Sequence, residues 1–259
     1  MESNLPDLMV EQRVDRQIQK VGIRNFHQFA HFGLQMVLGE FSLYVGLNGT
    51  RGVHMSRFVA AMEYFTEICD NSIFQLNKRL CLVQSARSSH VKIRTKVQIG
   101  DQIVPIVLEG HFKYSADDTS TYVKTFQFVV QNITTCPCSL ELCRSQKKGV
   151  PHIQRGFVTS TVKTASFEPP HLISIYNAVA SRLVLPQRFV KRPDEHNLAV
   201  RCEENPVFVE DVVELVKKSL TEFGFDDFSV VAEHEESIHQ HNAVAVLSAA
   251  DKDFGSKLT

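Results

Sequence analysis

Hydrophobic and polar residues alternate with period two along "HVKIRTKVQI" and "IVPIVLEGHFKY". Gly100–Asp101 lies between them as a turn signal, so the pair predicts a β-hairpin. In the second run Val104, Ile106, Leu108 and Phe112 share a face. "YVKTFQFVVQNI" places Phe126, Phe128 and Val130 on one face, and "QRGFVTSTVKT" reads as the strand after it. Residues 22–49 are rich in Phe, Val, Leu and Tyr and predict two strands joined near Gly39–Glu40. "FSVVAEHEES" and "NAVAVLSAA" predict a closing pair of strands.

The helical period appears between these runs. Met55, Phe58, Val59, Met62 and Phe65 fall on one helical face, and a second helix is expected over 71–84. "PPHLISIYNAVASRLV" reads as a helix opened by prolines. In "NPVFVEDVVELVKKSL", Asn205 is a suitable N-cap, Pro206 suits the first helical position, and Val209, Val212, Val213, Val216 and Leu220 make a buried stripe. The order strand–strand–helix–helix–strand–strand therefore occurs twice. It implies an α+β protein of two ββααββ halves that divide near residues 116–120.

Composition narrows the function. The chain has 259 residues, 43% of them hydrophobic and 22% charged, which suffices for a sizeable core without disulfides. A net charge of −1 argues against a general nucleic-acid binder, which needs a surplus of cations. No run reaches the ~18 apolar residues of a membrane span. "MESNLPDLMVEQRVDRQIQK" lacks the apolar core of a signal peptide, so a cytoplasmic location with reduced thiols is expected. The six cysteines are then candidates for metal binding or chemistry.

Two of them stand in "TTCPCS". If the chain is extended there, Cys136 and Cys138 point to one face about 6.6 Å apart, too far for an easy disulfide. Pro137 removes a backbone donor and marks an edge or break in the strand. No second cysteine pair follows, which disfavours a closed zinc finger. Two core thiols and an open metal site both remain as readings. "PHIQRG" supplies His152 and "KRPDEH" supplies Glu195 and His196. One thiolate, one imidazole and one carboxylate would leave a fourth metal position open to water, though each residue alone also reads as a surface loop or turn residue. Glu210 flanks the apolar stripe of its helix without a basic i+4 partner, whereas Glu214 is spaced to pair with Lys218. "EHEESIHQHN" gathers Glu233, His234, Glu235, Glu236, His239 and His241, materials for proton transfer or for a solvated loop.

Taken together, "RGVHMSRF", "TTCPCS", "HIQRG", "KRPDE", "ENPVFVEDVV" and "EESIHQH", in this order, resemble type IB GTP cyclohydrolase I, the bacterial form, over about residues 20–248. The resemblance implies two tandem tunnelling-fold (T-fold) units, each an antiparallel four-stranded sheet with two helices packed on one face. They would occupy 21–117 and 118–250, flanked by an N-terminal extension, 1–20, and a tail, 251–259. The second unit would carry most of the active site. The resemblance also implies a homotetramer with active sites between subunits. Cys136, His152 and Glu195 match the family's metal ligands. Cys138 matches the cysteine that lies against the substrate, Glu210 the carboxylate that anchors guanine, and Glu236 and His239 the acid–base pair. The sequence departs from the family in a longer loop before His152 and in Ile153, where asparagine is usual.

The reaction so implied is the metal-dependent opening of the guanine imidazole ring of GTP to 7,8-dihydroneopterin triphosphate and formate, the first step of tetrahydrofolate biosynthesis. One divalent metal per site is expected, with zinc suited to the ligand set and manganese or iron also compatible. Arg57, Lys147, Lys148, Arg155, Lys191 and Arg192 are candidate cations for the triphosphate. The alternatives are an archaeal-type cyclohydrolase that yields a cyclic phosphate, and a purine- or pterin-binding T-fold protein without catalysis.

Overall fold

The computed structural model describes residues 13–249 except 51, 116 and 118. Six helices accompany eight strands among the described residues, and hydrogen-bonded strand neighbours follow chain order, giving an α+β fold. The chain clusters into two compact units. One comprises residues up to Val97 with Ile106–Phe126 and Thr164–Pro169; the other comprises Gln98–Pro105, Gln127–Lys163 and residues from Pro170 onward.

The first unit opens with β1 (Arg13–Phe32) and β2 (Gln35–Thr50), paired antiparallel from Phe32↔Gln35. The turn is at Gly33–Leu34, not at the expected Gly39–Glu40. Gly33 takes φ +57°, which glycine adopts without a Cβ penalty. Gly39 lies inside β2 for another reason: a Cβ there would come within 2.6 Å of the Phe41 ring. Helix α1 (Met55–Met62) buries Phe58, Ala61 and Met62 and is shorter than its hydrophobic period suggests. Gln28 Nε2 donates to the carbonyls of Met62 (3.3 Å) and Phe65 (2.6 Å), and residues 66–68 pair with His31 through Thr66 O and Ile68 N. Phe65 thus reaches the core on an extended segment, while Met55 and Val59 of the same periodic set are exposed. Helix α2 (Asp70–Val83) buries Ile73, Leu76, Asn77, Leu80 and Cys81.

Strands β3 (Ser88–Ile99) and β4 (Gln102–Tyr114) flank a turn in which Gly100 has φ +61°, as the alternation predicts. Val91, Ile93 and Val97 alternate inward on β3, and Val104, Ile106, Leu108 and Phe112 on β4.

Strand β5 (Ser120–Thr135) buries Phe126, Phe128 and Val130. Helix α3 (Pro137–Gln146) follows at once, where the sequence reading placed a strand edge or break. Its opening proline occupies the position where a missing N–H costs nothing. In the second unit β6 (Ile153–Lys163), β7 (Phe228–Glu235) and β8 (Asn242–Ala249) pair antiparallel, with Gly156 opposite His234. Helices α4 (Pro169–Ala180), α5 (Arg192–Glu204) and α6 (Val209–Glu222) intervene between β6 and β7. Ser219 Oγ of α6 donates to Ala178 O of α4 at 2.6 Å.

Asn205 does not cap α6. It ends α5, its main-chain N–H and its side-chain amide both donating to Arg201 O. Helix α6 begins after Phe208, whose N–H donates to the Asp211 carboxylate at 2.8 Å. The predicted stripe Val209, Val212, Val213, Val216 and Leu220 is buried.

Candidate functional site

At the end of β5 the chain turns directly into α3, with Cys136 as its N-cap in extended backbone and Leu140 N–H donating to Cys136 O at 3.0 Å. Cys138 therefore sits in the first helical turn, and the same-face spacing of an extended chain does not apply to the pair. Cys136 N–H donates to His152 O at 3.2 Å, and His152 N–H to Ser139 Oγ at 3.3 Å. These bonds bind the start of α3 to the residue just before β6. Helix α3 ends with Lys147 in the left-handed region and Gly149 at φ +102°.

Cys136, Cys138 and His152 line one side of an open pocket of about 520 Å³. Glu236, His239 and His241, from the segment that follows β7, line the other. Leu142, Ile238 and Ala243 supply apolar wall. His239 N–H donates to Glu236 O at 3.2 Å, and the rings of His239 and His241 stack with centroids 4.9 Å apart. Five of the seven predicted site residues thus meet in one cavity. A larger cleft of about 720 Å³ in the first unit contains none of them.

The other two lie elsewhere on the second unit. Glu195 is exposed in the first turn of α5 and does not line the pocket. Glu210 is exposed in the first turn of α6, whose start is held to β5 by Val207 N–H donating to Thr134 Oγ1 at 3.1 Å. Glu214 pairs with Lys217 at 2.9 Å rather than with Lys218, which approaches Glu222 instead.

His152 Nδ1 is buried without a hydrogen-bond partner, and a buried ring nitrogen left so is expensive unless something binds it. With the Cys136 thiol in the same lining it offers two suitable ligands. No group of three His, Cys, Asp or Glu side chains is placed to hold an ion among the described residues. The residues fit a metal through this pair, with the carboxylate still to be supplied.

Besides the seven predicted residues stand Gln154 and Gly156, which the sequence reading left out, and His234, which it named only as part of the acid–imidazole cluster. Gln154, buried on β6, donates from Nε2 to Glu236 Oε1. His234, on β7 two residues before Glu236, is 1% exposed. Burial pushes its pKa down, against the pull of the Glu236 and Glu210 carboxylates, and its Nε2 has no partner. A Cβ at Gly156 would fall 2.2 Å from Asn132 Oδ1 and 2.7 Å from His234 Cδ2, so only glycine lets these two side chains close over β6. Part of "EHEESIHQHN" is therefore buried strand and not solvated loop. His234 is marked in the sequence by its type, whereas Gln154 and Gly156 are not.

Comparison with known proteins is consistent along the chain. Residues 5–245 match the family described as type I GTP cyclohydrolase FolE2. The chain is 31% identical over 251 residues to a GTP cyclohydrolase FolE2 of Staphylococcus saprophyticus, covering 89% of this chain and 83% of that one. It is 30% identical over 269 residues to GTP cyclohydrolase FolE2 2 of Dechloromonas aromatica, covering 97% and 96%.

Proposed function

Because the chain belongs to the type I GTP cyclohydrolase FolE2 family, we propose that it is a GTP cyclohydrolase I, hydrolysing the guanine imidazole ring of GTP to 7,8-dihydroneopterin triphosphate and formate at the head of tetrahydrofolate biosynthesis. The observation that carries this reading is the meeting of Cys136, Cys138, His152, Glu236 and His239, from separate segments, in one pocket.

Cys136 and His152 are the residues that would hold a divalent metal, with Glu195 as the third ligand that the family resemblance supplies. The chemistry a metal held there would supply is activation of water near neutral pH. Glu210, at the start of a helix, accepts two hydrogen bonds from the guanine amide and exocyclic amine. His239 moves protons during ring opening and reclosure, with Glu236, held by Gln154, as the other member of the acid–base pair. Cys138 presents its thiol to the oxygens that develop at C8. The same reading takes each unit as a T-fold module and the active protein as a homotetramer with sites between subunits, where a neighbouring chain can complete the ligand set.

The test is GTP turnover by purified protein with formate quantified, after chelation and separate re-addition of zinc, manganese and iron. Formate release restored by one of these metals supports the assignment. A metal-loaded protein that binds GTP and releases no formate overturns it. A cyclic phosphate in place of the triphosphate, seen by mass spectrometry, would assign the archaeal type of product.

A further inference from the structure

A second polar cavity lies wholly within the first unit, on the sheet face opposite its apolar core. Strand alternation explains its lining: Phe41, Leu43 and Val45 of β2 and Val91 and Ile93 of β3 point to the core, so Ser42, Tyr44, His90, Lys92 and Arg94 point away from it. Lys20 and Arg24 of β1 join them. Strand β1 is bulged on both sides of the paired segment Val21–Ile23, which opposes Leu43–Val45, and such bulges re-aim neighbouring side chains. The cavity measures about 190 Å³.

Its floor is desolvated. Ser42 is 1% exposed and His90 7%, so the long cationic side chains close over them. The rim carries Lys20, Arg24, Lys92 and Arg94 in a chain whose net charge is −1. One carboxylate, Glu109, belongs to the lining, and it is already engaged by His90 Nε2 at 2.8 Å and Lys92 Nζ at 2.5 Å. Glu40 engages Arg94 at 3.1 Å. Arg24 takes part in no ion pair among the described residues, so its guanidinium remains available to a ligand after these pairings. His90 Nδ1 is buried without a hydrogen-bond partner among the described residues.

We propose that this cavity binds a phosphate anion. Guanidinium and ammonium groups around a desolvated floor favour a phosphoryl group through charge-assisted hydrogen bonds. With Nε2–H of His90 donating to Glu109, Nδ1 accepts in the neutral ring and donates in the charged ring, and hydrogen phosphate, with both O–H and acceptor oxygens, satisfies either form. The volume is below the roughly 300 Å³ at which pockets for larger organic ligands begin, so the recognised part is the phosphoryl group and not a nucleoside. Inorganic phosphate and the phosphoryl end of a nucleotide share this chemistry.

Calorimetric titration of inorganic phosphate into the full chain, at low ionic strength in a phosphate-free buffer, tests the site. Wild type should show saturable binding at one site per chain. Lys20→Ala/Arg24→Ala should bind about tenfold more weakly or worse, as expected from lost charge-assisted contacts. Arg24→Gln should weaken binding with an unchanged melting transition, and Arg24→Lys should restore most of it. His90→Phe should weaken binding while also lowering the melting temperature, because Glu109 loses a partner, and Glu210→Gln should leave binding intact. A parallel titration with GMP separates the sources: GMP affinity that falls with the same rim variants points to a nucleotide, and unaffected GMP affinity points to the free anion. Absence of saturable phosphate binding, or rim variants that bind like wild type, overturns the proposal. Loss of phosphate binding in Glu210→Gln alone would also overturn it, by placing the anion in the proposed GTP site instead.

Discussion

Gln154 on β6 holds Glu236, just past the end of β7, by a hydrogen bond from its side-chain amide to the carboxylate. The donor is buried and the acceptor faces the pocket. The relationship fixes one member of the proposed acid–base pair from beneath. Gln154→Leu keeps the bulk and removes the donor. With a hydrogen bond to a charged group worth about 1.5–3 kcal/mol, kcat/KM for GTP should fall by roughly ten- to a hundredfold. Metal content should stay at the wild-type level. Unchanged steady-state kinetics in this variant would remove Gln154 from the site.

The two cysteines of "CPC" should separate experimentally. Cys136→Ala should lose metal, measured by elemental analysis, and formate release with it. Cys138→Ser should retain metal yet turn over poorly, because a hydroxyl is a weaker acid than a thiol. Cys138 is exposed, whereas Cys69, Cys81 and Cys202 are buried, and burial pushes the Cys81 and Cys202 thiols up. Iodoacetamide should therefore modify Cys138 before those three, and GTP should slow the modification. Wild-type turnover by Cys138→Ser contradicts the assignment.

Glu210→Gln replaces one acceptor oxygen by a donor at the guanine edge. GTP affinity should weaken by about 2–3 kcal/mol, the loss of charge-assisted hydrogen bonds compounded by a mismatched donor. Metal content and melting temperature should not change, since the side chain is exposed and makes no ion pair among the described residues. An unaltered Kd for GTP would exclude the anchoring role.

Glu109 gives a pH signature to the first unit. Burial alone would raise its pKa, but hydrogen bonds and charge from His90 and Lys92 outweigh this and lower it from 4.5 to about 2. A depressed folded-state value means the contribution is complete above about pH 4.5 and lost as pH falls toward 2. The urea midpoint of wild type should decline over that window, and Glu109→Gln, less stable at neutral pH, should show a shallower decline. Parallel curves for the two proteins would refute the ion-pair account.

The hairpin β3–β4, the stripe of α6 and the inward residues of β5 are legible in the sequence because each keeps one period against one apolar partner. Helices α3 and α5 are not. "PCSLELCRSQ" buries only Leu140, and "RPDEHNLAVRCEE" only Cys202, so neither shows a stripe. The β1–β2 turn is missed because glycines at 33, 39 and 46 look alike in sequence, and only Gly33 takes a positive φ. Among the site residues, cysteine, histidine and acid motifs announce themselves by type. Gln154 and Gly156 act through position on a buried strand face, and a single sequence does not mark them. Glu195 is read from family resemblance, and nothing within its own chain's pocket lining draws it in.

The backbone bond between Cys136 and His152 gives the intervening segment the character of a cassette. Its two ends are tied to each other, and its interior turns back at Lys147–Gly149 through left-handed residues. Residues added or removed near that turn change the loop closure only slightly, since its entropy grows with the logarithm of length. Length variation before His152 can therefore accumulate in this lineage while the spacing of the two candidate ligands stays constant, and the region becomes a natural position for engineered insertions.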